Sequence, residues 1–193
     1  SGPITDAAGT TIGVSGLTTF DAGGNAITLG DDVADTTNFN QLHLTGGMVT
    51  VTEDSGTELT GVSATTLNLI SDGPISDAPG TTINITGLAT LNAGGSPITL
   101  GDGAADTTNF GQLHLTGGAI NITEDSSTEF KGITANSLQV VSAGPITDAP
   151  GTPINVTSFA TLTAGGGLTL SDNPAVCLPR GGPAALFAPT LHL

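Results

Sequence analysis

Apolar and polar residues alternate along many short stretches of this chain. Examples are Ala26-Ile27-Thr28-Leu29, Leu42-His43-Leu44-Thr45, Val49-Thr50-Val51-Thr52 and Leu67-Asn68-Leu69. Such period-two runs of β-branched and aliphatic residues, punctuated by Gly, Asp and Asn, predict short strands. No helical period persists beyond a few residues. On this pattern Ile4, Ile27, Leu42, Leu44, Val49 or Val51, Leu67 and Leu69 face inward, whereas Gln41, His43 and Thr45 face outward. The stretch from Val14 through Leu17 to Phe20 does not alternate cleanly, which predicts a bend near Ser15-Gly16.

The pattern itself repeats. Gly2-Pro3-Ile4-Thr5-Asp6 returns as Gly73-Pro74-Ile75-Ser76-Asp77 and as Gly144-Pro145-Ile146-Thr147-Asp148. The numbering advances by 71 each time, and the stretch 2–72 matches 73–143 at 43 of 71 positions without a gap. Each unit divides into three segments, 2–24, 25–47 and 48–72 in the first, of lengths 23, 23 and 25. Each segment opens on a β-branched stretch, turns at an acidic, Gly-containing corner, continues through a Thr-led stretch and ends Leu-rich. Stacked coils of this length predict an all-β fold, a right-handed parallel β-helix (β-solenoid) of about eight rungs, with three short strands per rung and three rungs per repeat. The predicted β-helix spans residues 1–173, in repeats 2–72, 73–143 and a partial 144–173. Residues 174–193 leave the pattern and read either as a cap over the last open edge or as a foreign tail.

Charge narrows the partners. Lys131 and Arg180 stand against thirteen Asp and four Glu, for a formal net charge of −15. Nucleic acid and anionic membrane surfaces are therefore excluded as partners, and cations or neutral or basic surfaces are favoured. No apolar stretch is long enough for a membrane span. The absence of Trp and Tyr weakens a sugar-stacking platform, and the single Cys177 frames no disulfide. The start in mid-pattern, at Ser-Gly-Pro, reads as a piece of something longer or as a processed product.

The runs Gly2-Pro3-Ile4-Thr5-Asp6-Ala7-Ala8-Gly9-Thr10-Thr11-Ile12, Phe20-Asp21-Ala22-Gly23-Gly24-Asn25-Ala26-Ile27-Thr28-Leu29 and Leu42-His43-Leu44-Thr45-Gly46-Gly47 resemble the repeats of filamentous-haemagglutinin-type adhesins. They are also similar to the giant repetitive surface proteins of bacteria. The resemblance covers residues 2–173. It implies secretion or display at a bacterial cell surface, and a structural role in adhesion or scaffolding. The implied partners are a host or matrix surface, or neighbouring repeats of a longer chain, with end-to-end or edge association between rods.

The chemistry sits at the corners. A carboxylate follows the first strand of every segment: Asp6, Asp31 with Asp32, Glu53 with Asp54, Asp77, Asp102, Glu124 with Asp125, Asp148 and Asp172. Rungs in register would align these into a ridge spaced at about 5 Å, where like charges repel unless a cation intervenes. Hard oxygens converging in this way suit Ca²⁺, with Asp35 or Asp106 completing a shell. The predicted metal ligands are Asp31, Asp32, Asp35, Glu53, Asp54, Asp102, Asp106, Glu124 and Asp125. The bland reading of the same corners is turn chemistry, because Asp bonds its own backbone there.

An enzyme would have to work with carboxylates alone. A calcium-dependent hydrolase or lyase acting on a polysaccharide or small ester would pair Asp31 with Glu53, or Asp102 with Glu124. Exact repetition argues against one unique active site, and no nucleophile elbow is present. His43 and His114 lie one full repeat apart, too far for one metal ion to bridge, and read as exposed ladder residues. The Thr pairs, such as Thr10-Thr11 and Thr81-Thr82, point to opposite faces and make a poor ice-binding ladder.

Overall fold

The computed structural model describes residues 1–170 and, beyond them, three short strands at Val176–Cys177, Ala184–Phe187 and Thr190–His192. In chain order the first repeat forms β1 (Ile4–Thr5), β2 (Thr11–Asp21), β3 (Ile27–Leu29), β4 (Thr36–Glu53) and β5 (Thr57–Ser71). The second forms β6 (Ile75–Asp77), β7 (Thr82–Asn92), β8 (Ile98–Leu100), β9 (Thr107–Glu124) and β10 (Thr128–Ser142). Then come β11 (Ile146–Asp148), β12 (Ile154–Ala164) and β13 (Gly167–Thr169). The long strands carry internal register shifts where the chain rounds a corner, one of them between Val14 and Leu17, at the bend expected around Ser15-Gly16. The described residues contain no helix. The strand pairings are parallel, and they build a β-solenoid of about eight turns.

The register corrects how the repeat maps onto the turns. One column runs Ile4, Ile27, Val49, Leu67, Ala89, Leu113 and Phe130. Its first three steps advance the numbering by 23, 22 and 18, not by the segment lengths 23, 23 and 25. The third turn is shorter because only the tight corner 54–56 interrupts it, whereas the first two carry the projecting corners 6–10, 22–26 and 30–35. The repeat is therefore three full turns plus the further advance from Leu67 to Ile75. Ile75 stacks on Thr57 and lies in a different column from Ile4. Equivalent residues of successive repeats thus occupy different positions around the axis.

Inside, the columns form one continuous core. Ile27, Leu42, Leu44, Val49, Val51, Leu67 and Leu69 are buried as expected, both valines included. Each such side chain contributes about 1.5–3 kcal/mol of transfer free energy. Phe39 closes the core edge-on against Phe20, with ring centroids 5.6 Å apart.

The first turn differs. Its inward residues Ile4, Ile12 and Phe20 are only partly buried, whereas their counterparts Ile75, Ile83 and Leu91, covered by a preceding turn, are 0–1% exposed. At the other end β14 (Val176–Cys177) and β15 (Ala184–Phe187) pair in parallel on β12, and β16 (Thr190–His192) pairs on β13. The rest of the off-pattern segment 174–193, and with it the choice between cap and foreign tail, lies outside the described residues.

Candidate functional site: two aspartate triads

The corners are made by glycines that leave the strand conformation. Gly30 (φ +65°) and Gly101 (φ +70°) end β3 and β8 in the left-handed region and turn the chain outward into the loops 30–35 and 101–106. A side chain on Gly101 would collide with the Thr123 carbonyl oxygen, so only glycine passes there. Each loop then returns beneath the corner of the preceding turn, which brings carboxylates from two turns together.

Two triads result. One carboxylate oxygen from each of Asp6, Asp31 and Asp35 lies within 4.8 Å of the others, and so does one from each of Asp77, Asp102 and Asp106. In the second triad Asp77 Oδ2 accepts from the Gly101 amide at 3.0 Å. Asp106 Oδ1 accepts from the Gly80 and Thr81 amides at 2.6 and 3.1 Å, and its Oδ2 from Gly103 at 2.5 Å. The first triad repeats the scheme. Asp6 Oδ2 accepts from Gly30, and Asp35 accepts from Thr10 and Asp32. In both triads the first aspartate keeps an oxygen, Asp6 Oδ1 or Asp77 Oδ1, that is buried and has no hydrogen-bond partner.

Electrostatics follows this geometry. Burial pushes the Asp77 carboxyl up to about 6, and the charges of Asp106 and Asp102 add to the effect. Backbone amides, that of Asp32 foremost, hold the half-buried Asp35 below its usual value. Asp77 is the costly member of its cluster, an 8%-exposed carboxylate facing two others.

Of the predicted ligands, the fold brings Asp31 to Asp35 and Asp102 to Asp106. Asp6 and Asp77, read from sequence as corner carboxylates but not as ligands, complete the triads. The others are placed elsewhere. Asp32 accepts from the Ala34 amide within its own loop. Glu53, 1% exposed, turns inward and accepts from the Phe39 amide at 2.6 Å and from the Ser55 and Thr57 hydroxyls. Asp54 accepts from the Thr37 amide at 2.8 Å. Glu124 and Asp125 repeat this with Phe110, Ser126, Thr128 and Thr108. Burial raises the pKa of both glutamates.

Among the described residues, which do not include Asp172, the carboxylates therefore do not form one ridge. Asp77 stacks on Leu59 rather than on an acidic corner, because the repeat is not a whole number of turns. A hydrolase or lyase on the pairs Asp31–Glu53 or Asp102–Glu124 would need both partners open to substrate, and the two glutamates are enclosed.

The histidines also separate. His43 stacks between Thr19 and Gly61, and His114 between Thr90 and Gly132. They stand in different columns, not simply three rungs apart on one face. Each imidazole lies across its glycine, where a Cβ would come within 2.5–2.9 Å of the ring.

Comparison with known proteins agrees with the repetition. A family model described as repeats of unknown function (DUF5649) matches residues 1–42, 46–116 and 117–174. No curated protein and no solved structure matches the chain. Among the described residues no helix is long and apolar enough to cross a membrane.

Proposed function

We propose, on the premise that the chain belongs to this family of repeats of unknown function, that it is a rod-forming segment of a secreted or surface-displayed bacterial adhesin or scaffold. The observation that carries the reading is the stacking itself: near-identical 71-residue units continue one parallel solenoid around one unbroken apolar core. A unit that stacks on itself extends a rod of constant width without new chemistry. The acidic, Lys-poor surface keeps such rods soluble and apart. Its partners are neighbouring repeats along the axis and a neutral or basic host or matrix surface across it.

The test is to add one further repeat in tandem and measure both chains by small-angle scattering. The rod reading expects the maximum dimension to grow by about 16 Å, three turns and part of a fourth at about 4.8 Å each, with an unchanged cross-section. A wider particle of unchanged length would refute it. Surface display is checked on intact cells of the source bacterium, where an antibody against the repeats should bind without permeabilisation.

A further inference from the structure

We propose that the triad Asp77–Asp102–Asp106, and with it Asp6–Asp31–Asp35, is a binding site for a hard divalent cation of the size of Ca²⁺. Two independent observations meet here. The three carboxylates of each triad lie within 4.8 Å of one another. Oxygens each about 2.4 Å from a shared Ca²⁺ lie no further apart than about 4.8 Å. The second is the buried, unpartnered Oδ1 of Asp77, a residue only 8% exposed; Asp6 Oδ1 is likewise unpartnered, on a residue that is itself half-buried.

A buried carboxylate oxygen that accepts no hydrogen bond is costly to keep ionised beside two like charges. A cation in the triad would satisfy that oxygen and offset the repulsion in one step. The backbone already fixes the ligands. Asp106 is held by three amides and Asp77 by one, so little side-chain freedom remains to be lost on binding. Asp102 is exposed and leaves the outer side of the site open to water, which would fill the remaining positions of a six- to eight-coordinate ion. Because successive repeats are rotated about the axis, the two sites stand apart as independent sites.

The inference does not rest on the rod reading, which is judged by particle length. The experiment is calorimetric titration of the chelator-treated protein with CaCl₂ at fixed ionic strength, alongside Asp102→Asn, the double variant Asp31→Asn with Asp102→Asn, and Asp72→Asn. Asp102→Asn should lose one bound equivalent relative to wild type, or bind it at least tenfold more weakly, and the double variant should lose two. Asp72→Asn removes the same charge from an exposed position outside both triads, and should bind as wild type does. Circular dichroism of each variant confirms that its β-structure is intact. The proposal is overturned if Asp102→Asn binds as many ions as wild type with the same affinity. It is equally overturned if Asp72→Asn loses as much, or if matched NaCl raises the melting temperature as far as CaCl₂ does.

Discussion

At the scale of single residues, this protein tolerates a few costly groups because each stands where the backbone turns. Glu53 and Glu124 are examples. Each is almost fully enclosed and accepts a strand amide and two hydroxyls, yet burial still raises its pKa. A carboxyl whose folded pKa lies above its unfolded value binds more protons in the native state, so stability falls as pH rises through the window above about 4.5. In chelator, the melting temperature should therefore rise as the pH is lowered from about 7.5 towards about 5. Asp77 adds to the same trend below about 6. Glu53→Gln with Glu124→Gln should flatten part of this slope, read by thermal melts at each pH. An unchanged slope would mean that the two glutamates are ordinary acids. Glu124→Ala is a harsher change, since it strands the Phe110 amide in the interior. It should cost roughly 2–3 kcal/mol in denaturant unfolding.

At the scale of elements, the corners decide the geometry and glycine decides the corners. Gly101 combines a left-handed backbone with a close approach to the Thr123 carbonyl that leaves no room for a Cβ. Gly94 has a similar φ of +57° but open space around it. Gly94→Ala should therefore cost only the conformational penalty, about 1 kcal/mol, whereas Gly101→Ala should cost about 3 kcal/mol or more. The second change would also displace the amide that holds Asp77. Equal losses in urea titrations would show that the contact at Gly101 relaxes freely.

At the scale of the whole molecule, stability is a sum over turns and over the interfaces between them. Most turns are covered on both sides, and the first is covered on one. A chain lengthened by one tandem unit should then melt at a higher temperature than the present one, as differential scanning calorimetry would show. No gain would imply that the turns unfold independently and that stacking contributes little. The incomplete turn in each repeat has a consequence at this scale too. A feature present once per repeat winds around the rod and does not line one face, so the long solenoid presents different groups on each side.

The amino-acid sequence alone determined the class of fold, because alternation and punctuation act locally. Period-two runs state which residues face in, and the faithful return of the whole unit states that the units stack. The inward set from Ile27 to Leu69 and the bend at Ser15-Gly16 were legible for that reason. The phase of the repeat against the turn was not legible. It depends on how far each corner projects out of the wall. The third segment of the repeat is the longest in sequence, and nothing in it shows that its turn is the shortest until the loops are drawn. From that phase came the separation of the histidines and the breaking of the expected ridge. It also decided which carboxylates meet. Asp6 and Asp77 look in sequence like turn residues among many others. Only the return of the next turn's loop beneath them encloses an oxygen of each without a partner, because burial belongs to the contact between turns and not to either strand by itself.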